Sequence, residues 1–199
     1  MTHPIKDHAD IFAEEFRDLK LHAGKIKHAE FEECTFKSCD FSQTTFLACR
    51  FIDCYFHNCD LSVAKLTDSK LGNVKFISSK LIGIDWTMCD WKSLLGDKQL
   101  SFYESILDGC NFYGLDLDGI ILKESQVKDV DFSNCSMKNG DFKGSDFHRT
   151  IFENTHLEYS NFSEAKNISM RICSNHFKET KISHFEALNL LETQGIILN

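Results

Sequence analysis

Proline is almost absent from this sequence, and so are the marks of a membrane protein, a secreted protein or a nucleic-acid binder. The 199 residues contain one proline, at position 4. No apolar run approaches the roughly 18 residues that a membrane-spanning helix needs, and the first residues lack the apolar core of a secretion signal. Lysine and arginine number 22 against 30 acidic residues, for a net charge of -8. We therefore expect a cytoplasmic protein that binds neither membranes nor nucleic acid directly.

Motifs that mark common enzyme classes are also missing. The sequence has no glycine-rich phosphate loop, no HExxH and no GxSxG. Nine cysteines are present but form no CxxC pair, and eight of them occupy one recurrent position of the repeat described next. Neither the cysteines nor the nine histidines have metal-ligand spacing. The sequence predicts a chain without enzymatic activity, cofactor or metal.

The sequence has, instead, a repeat of five residues. Every fifth residue from Ile26 to Trp91 is large and apolar, and so is every fifth residue from Phe102 to Phe162. Five steps along a helix turn by about 140°, and five along a straight strand reverse the face, so neither element keeps these residues together. The chain must therefore turn once in each repeat.

Two further positions of the repeat support this interpretation. The residue two before each large one is mostly small, as at Cys34 and Ser105, and the residue two after it is often Gly, Asn or Asp, as at Asn58 and Gly83. These last residue types tolerate the positive φ of tight turns. Four such corners close one coil, and stacked coils pair their backbones at about 4.8 Å per layer. The register predicts a parallel β-solenoid of about seven coils with the large residues inside.

Several units resemble those of the pentapeptide-repeat family, which read A(D/N)Lxx or a phenylalanine variant. The best matches are CDFSQ at 39–43, CDLSV at 59–63, SDFHR at 145–149 and SNFSE at 160–164. The resemblance implies an all-β fold, a right-handed quadrilateral parallel β-helix. Some members, of the Qnr and MfpA types and among immunity factors against gyrase-directed toxins, are acidic dimeric rods similar in outline to duplex DNA. The resemblance therefore also implies DNA gyrase or topoisomerase IV as a partner, with an effect on quinolone or toxin sensitivity.

The register divides the chain into three segments. We expect a lead-in over residues 1–18, the solenoid over 19–182 with an interruption at 92–101, and a C-terminal cap over 183–199. Because Phe102 lies one position beyond the five-residue register that Trp91 continues, the interruption is either a one-residue bulge or a short loop that replaces a repeat. Asn167 stands where the register requires an apolar residue, which predicts a distorted last coil.

The C-terminal cap begins with a helix signal. Ser183 and Glu186 form a capping box before a short apolar run, and Gly195 is placed to end the helix. Such a helix would cover the open end of the solenoid. The apolar residues there either pack back onto the cap or join two copies into a homodimer. The candidates for the dimer interface are Leu188, Leu191, Ile196, Ile197 and Leu198.

The distribution of charge suggests a surface for a protein partner. Residues 102–164 carry 12 acids and 5 bases, which predicts one long acidic surface. The candidate contacts with a type II topoisomerase are Asp116, Asp118, Asp131, Asp141, Asp146 and Glu158, together with Leu94, Leu95 and Gly96 in the interruption. The alternative is a general protein-interaction scaffold unrelated to topoisomerases. Lys65, Lys70, Lys75 and Lys80 precede four successive large residues, which places one lysine on each side of a coil as a basic ring or as ordinary solubilising charge.

Overall fold

A computed structural model describes residues 5–92 and 99–197. The chain forms a parallel β-solenoid of about 8 turns with a C-terminal helix, which confirms the predicted fold class and adds about one turn to the expected number. In chain order the strands are β1 (Asp10–Phe12), β2 (Glu15–Arg17), β3 (Lys25–Lys27), β4 (Glu30–Glu32), β5 (Thr35–Lys37), β6 (Thr45–Leu47), β7 (Arg50–Ile52), β8 (Tyr55–His57), β9 (Lys70–Gly72), β10 (Val74–Ile77), β11 (Leu100–Tyr103), β12 (Ile121–Lys123), β13 (Asn161–Phe162) and β14 (Lys181–Ile182).

Each coil has four sides, and the pairing between coils assigns every repeat to one of them. Side 1 contains β1, β4, β7 and β9, and single parallel bridges continue it through Asp116, Ser136, His156 and His176. Side 2 contains β2, β5, β8, β10, β11 and β12, followed by β13 and β14. Side 3 consists of single bridges from Lys20 to Lys166. Side 4 contains β3 and β6, and bridges link its later coils from Asp85 to Ile151.

Columns of large apolar side chains fill the interior. Phe51 stacks on Phe31 with ring centroids 4.8 Å apart, and Phe56 stacks on Phe36 at 4.6 Å. All the register residues from Ile26 to Phe162 are buried except Trp91, which is half-buried. The five-residue repeat therefore arises because every coil places its large apolar residues in the core in the same way.

The small residues two positions before the large ones also point inward. Their hydroxyl or thiol groups donate to backbone carbonyls of the preceding coil, as Ser145 does to Leu122 at 2.8 Å and Thr155 to Phe132 at 2.9 Å. Eight of the cysteines are buried free thiols and Cys173 is exposed, as the repeat predicts. Ser, Thr and Cys at this position thus satisfy a carbonyl from inside the rod, whereas other repeats bury an apolar residue there, namely Val74, Ile84, Leu100, Ile120 and Val130.

The corners have the backbone conformation that the repeat requires. The residue two after the large one lies in the left-handed region, with φ of 52° at Asn58 and 69° at Gly83. Asn and Gly suit this region, but Val63 also occupies it, with φ of 57°. A β-branched residue there is strained.

Regular coils begin earlier than Leu19, where the sequence analysis placed their start. Strand β1 pairs with β4 from Asp10 onward, and the amide of His8 donates to the carbonyl of Lys27 at 2.9 Å. Glu14 stands at an inward repeat position but is exposed. It belongs to the first coil, at the open end of the rod, where the carboxylate reaches solvent.

The interruption at 92–101 is an insertion between side 1 and side 2 of one coil. Phe76 pairs with Phe56 in the coil before it and with Phe102 in the coil after it, and the second interval along the chain is the longer by six residues. Trp91 and Phe102 therefore lie on consecutive sides, with these six extra residues between them. Of the two alternatives that the sequence left open, the one-residue bulge is wrong, and an insertion longer than one repeat is present. The predicted contacts Leu94, Leu95 and Gly96 lie outside the described residues.

The last coil departs from the register, as expected. Asn167 adopts φ of 57° and its side-chain amide donates to Asp146 at 2.7 Å, while Ile168 and Met170 are buried instead. Ile172 and Phe177 return to the register but remain partly exposed, because no further coil covers them.

Helix α1 (His184–Thr193) covers part of this end. Its N-cap is Ser183, whose hydroxyl accepts from the amide of Glu186 at 3.2 Å, and Gly195 follows it with φ of 82°. The Glu186 carboxylate is buried and accepts from the amide of Ile168 at 3.2 Å. The predicted helix is therefore confirmed, and this carboxylate joins it to the last coil.

Candidate interaction surface

The described residues contain no group of three or more His, Cys, Asp and Glu side chains that could hold a metal ion. Their grooves are shallow features of the surface. Two of them flank α1 and measure about 390 and 410 Å³. A third, of about 300 Å³, lies between Val63 and Met88. No helix of the described part is long and apolar enough to span a membrane.

The six acidic candidates do not share one side of the rod. The bridges place Asp116 on side 1, and Asp118 and Glu158 occupy outward positions of the same side. Asp131 lies on side 4, Asp141 on side 2 and Asp146 on side 3. The acidic surface predicted for residues 102–164 is thus distributed around the rod, because successive repeats occupy successive sides.

The carboxylates of Asp141 and Asp146 are also neutralised locally. Lys123 Nζ lies 2.6 Å from Asp141 Oδ2, and Lys128 Nζ lies 3.4 Å from Asp146 Oδ2. Partial burial works against the charged form of Asp146, but hydrogen bonds from Asn167 and from a backbone amide, with Lys128 nearby, outweigh it and lower the pKa. These two carboxylates therefore form ion pairs within the rod.

Side 1 is different, because its acids outnumber its bases. We count the outward positions of each repeat, which are the residue before the large one and the two after it. On side 1 the described acids at these positions are Asp10, Glu30, Glu32, Glu33, Asp53, Asp90, Asp116, Asp118, Glu158 and Glu179, and the bases are Arg50, Lys70, Lys92, Lys138 and Lys178. The same positions on sides 2 and 3 carry equal numbers of acids and bases, and side 4 has one acid in excess. Side 1 therefore carries most of the net negative charge.

The side 1 candidates differ in their surroundings. Asp116 and Asp118 are exposed, and Asp118 Oδ1 accepts from the Ser136 hydroxyl at 2.6 Å and from the Lys138 amide at 2.9 Å. Glu158 is less exposed, and its Oε1 lies 3.1 Å from His156 Nδ1. Burial raises the pKa of Glu158, but its hydrogen bonds lower that pKa by more, so the net shift is downward. The Glu158 carboxylate is therefore ionised at neutral pH.

The four lysines are placed as predicted, one on each side. Lys70 is in β9 on side 1, Lys75 is in β10 on side 2, Lys80 bridges to Asp60 on side 3, and Lys65 bridges to Thr45 on side 4. Lys70 Nζ lies 3.9 Å from Asp90, and Lys75 Nζ lies 5.3 Å from the centroid of the Tyr55 ring. These contacts favour ordinary surface charge over a binding ring.

The dimer candidates lie at the C-terminal end of the rod. Ile197 is 86% exposed and Ile196 is 47% exposed. Leu188 is exposed, Leu191 is half-buried, and Leu198 lies outside the described residues. Phe185, which the sequence analysis did not select, is 69% exposed. Leu191 also lines the groove of about 410 Å³, together with Phe177 and Ile172. This end is thus the most apolar exposed part of the described chain.

Two features were not predicted from the sequence, namely the side to which each acid belongs and the pairing of distant histidines. The first depends on the length of the insertion before Phe102, and the second follows from the 20-residue interval between equivalent positions of regular coils. His156 and His176 occupy the same position in successive coils and stack with ring centroids 4.2 Å apart. Spacing along one coil, the usual guide to metal ligands, does not detect such a pair.

Comparisons with known proteins agree with this architecture. A family profile described as the pentapeptide repeat region matches residues 14–95 and 98–162. A trypsin-treated variant of QnrB1, a plasmid-mediated fluoroquinolone resistance protein, has a TM-score of 0.64 at 18% identity over 96% of this chain and 99% of its own. HetL, a pentapeptide repeat protein involved in heterocyst differentiation regulation from the cyanobacterium Nostoc sp. strain PCC 7120, has a TM-score of 0.59 at 15% identity over 89% and 86%. No curated protein sequence matches the chain. At these identities the solved structures demonstrate a shared fold.

Proposed function

Because this chain belongs to the pentapeptide-repeat family, we propose that it is a non-enzymatic, cytoplasmic rod that binds a protein partner through side 1. The partner is DNA gyrase or topoisomerase IV, which the rod engages in place of DNA. By occupying the DNA-binding surface it changes the sensitivity of the enzyme to quinolones or to gyrase-directed toxins.

The excess of acids on side 1 is the observation that carries this proposal. The coils stack at about 4.8 Å, so acids such as Glu30, Asp116 and Glu158 recur along a rigid axis. A surface built for a phosphate backbone supplies lysine and arginine side chains, and these complement a line of carboxylates. The charge of the other sides is nearly balanced, so a basic partner surface would bind side 1 in preference to them.

The relatives in fold add a reason to test this partner first. QnrB1 is described as a fluoroquinolone resistance protein, and the match covers 96% of this chain. An identity of 18% does not transfer its activity. It does make the targets of fluoroquinolones the natural first candidates.

The test is a gyrase supercoiling and DNA-cleavage assay, with and without a fluoroquinolone, titrated with this protein. The side 1 variant combines Asp116→Asn, Asp118→Asn and Glu158→Gln. Its matched control combines Asp131→Asn, Asp141→Asn and Asp146→Asn, which removes the same charge from the other three sides. Both sets keep side-chain oxygens that can accept hydrogen bonds, so the turns remain capped.

We expect the wild type and the control to inhibit supercoiling or reduce drug-induced cleavage, and the side 1 variant to need about tenfold more protein. That factor corresponds to three exposed ion pairs at about 0.5 kcal/mol each. Equal loss in both variants would refute a role for side 1. No effect of the wild type at tens of micromolar, with a different partner recovered from bacterial lysate, would replace the topoisomerase by another partner of a general scaffold.

A second part of the proposal is a homodimer joined at the C-terminal end. It rests on the exposed Ile196 and Ile197 and on the apolar groove between α1 and the last coil. Burying such side chains at a twofold interface removes apolar surface from water. Deletion of residues 196–199 should give monomers by light scattering with an unchanged circular dichroism spectrum. A full-length chain that is already monomeric at micromolar concentration would contradict the dimer.

A further inference from the structure

Two histidines lie against each other on side 1 near the C-terminal end of the rod. His156 and His176 each precede the large residue of their repeat, and a parallel bridge joins them across adjacent coils. Their rings are almost parallel, with centroids 4.2 Å apart and an interplanar angle of 7°. The solenoid thus brings together two imidazoles that are a full coil apart in the sequence.

A carboxylate fixes the proton on one of these rings. Glu158 Oε1 lies 3.1 Å from His156 Nδ1. Because an ionised carboxylate can only accept, Nδ1 of His156 must carry the hydrogen of this bond. In the neutral ring Nε2 then holds a lone pair, and it is the nitrogen left for a ligand.

The second oxygen of the same carboxylate has no partner of its own. Glu158 Oε2 is buried and makes no hydrogen bond within the described part of the chain. One acceptor oxygen of the carboxylate that contacts His156 is therefore unsatisfied, and a cation bound nearby would compensate it.

We propose that His156 and His176 form a binding site for a divalent transition-metal ion of the Zn²⁺, Ni²⁺ and Cu²⁺ class. Imidazole nitrogen is a ligand that suits these ions. A histidine that binds a metal commonly donates its other ring N–H to a carboxylate, which orients the ring and raises its basicity. Glu158 is placed to accept the Nδ1–H of His156 in this way.

The two rings need only a small rearrangement to chelate one ion. The torsion between Cβ and an imidazole ring is broad, so each ring can tilt until the two nitrogens converge. Water completes the coordination, because the described residues place no third ligand beside the pair.

Two lysines on the same side bear on the site. Lys138 places a positive charge near Glu158. Lys178 Nζ lies 5.3 Å from the centroid of the Tyr159 ring, which holds this ammonium group in a contact of its own. The excess of acids along side 1 offsets both charges and favours a bound cation.

The chain contains a matched control for this site. His8 and His28 also occupy equivalent positions of successive coils, and they stack at 4.8 Å with an interplanar angle of 14°. Among the described hydrogen bonds, none joins either of these rings to a carboxylate. If stacking alone were enough for metal binding, both histidine pairs would bind the ion. If the carboxylate is needed, only the His156 and His176 pair will bind it.

The experiment is isothermal titration of the full chain with zinc chloride, with the thermal unfolding midpoint as a second readout. We expect saturable binding that stabilises the fold, with an affinity at least about tenfold lower in His156→Asn and in His176→Asn. Glu158→Gln should lose about 10- to 100-fold, the range typical of a carboxylate that supports a metal-bound histidine. The double variant His8→Asn with His28→Asn should bind as the wild type does.

Three results would overturn the proposal. They are an absence of saturable Zn²⁺ binding, unchanged binding in His156→Asn, and an equal loss in the His8 and His28 double variant. Circular dichroism confirms that each variant is folded before titration. His156 is half-buried and His176 is exposed, so we do not expect their replacement to unfold the chain. The topoisomerase assays do not enter this test, so the two proposals stand or fall separately.

Discussion

Replacing Phe51 by alanine probes the packed column on which the whole rod depends. Phe51 is 2% exposed and its ring stacks on Phe31 at a centroid distance of 4.8 Å. It also meets Phe46 edge to face at 5.4 Å and lies 5.9 Å from Phe56. Removing the ring leaves a void in contact with two coils, and the strands on both sides hold the cavity open.

The expected cost follows from these contacts. A buried phenylalanine truncated to alanine loses about 3–5 kcal/mol, and an aromatic pair contributes about 0.5–1.5 kcal/mol beyond the buried area. We expect a loss of about 4 kcal/mol, which is a large share of the roughly 5–15 kcal/mol that stabilises a domain. Phe51→Asp places an unpaired charge at the same point and should prevent folding altogether.

Urea unfolding followed by circular dichroism measures this loss. The control is Phe185→Ala, because Phe185 is 69% exposed and its truncation should change stability by less than about 0.5 kcal/mol. A difference below about 1 kcal/mol between the two variants would refute the packed-column account. So would a Phe51→Asp variant with native circular dichroism and an unchanged melting temperature.

Other changes test other parts of the rod. Glu186→Ala should cost about 1–3 kcal/mol in urea unfolding, because it leaves the Ile168 amide buried without its acceptor, while Glu186→Gln should restore most of the loss. A thiol reagent should label one cysteine rapidly, Cys173, and all nine only after unfolding, and fast labelling of several thiols in the native chain would contradict the buried ladder. Val63→Asn should stabilise the chain by about 1 kcal/mol in the same urea assay, because Val63 is exposed and occupies the left-handed region, and any loss of stability would count against this strain. The pKa of Asp146 is lowered from 3.8, so the stability that its carboxylate contributes is complete above the pKa of the unfolded state and is lost as the pH falls toward the pKa of the folded state. Below about pH 4 the wild type should therefore lose stability faster than Asp146→Asn does. An equal or slower loss in the wild type would contradict this.

Much of the architecture follows from the repeat itself. A large apolar residue at every fifth position, a small one two before it and a turn residue two after it leave the chain one way to bury its core. The capping box at Ser183 likewise predicts the start of α1, because the hydroxyl and the Glu186 amide are local partners. These features depend on residues that are close together in the chain, so they can be predicted from the sequence.

Other features depend on which coils are neighbours, and the sequence does not report that directly. The six extra residues before Phe102 lengthen one coil, so they decide which side each later acid occupies. A one-residue bulge would have shifted Asp131, Asp141 and Asp146 to different sides. The early start of the solenoid was also missed, because Glu14 at an inward position signals disruption in the middle of a rod but is harmless at its open end.

The most direct test of the central claim is displacement of DNA from gyrase. A fluorescent duplex bound to gyrase is titrated with this protein, and its anisotropy is followed at several salt concentrations. We predict that the wild type releases the duplex, and that its apparent affinity falls steeply as salt rises, because exposed charges are screened within about 8 Å at physiological ionic strength. Duplex that stays bound at every protein concentration, or release that does not depend on salt, would contradict the proposal that side 1 binds in place of DNA.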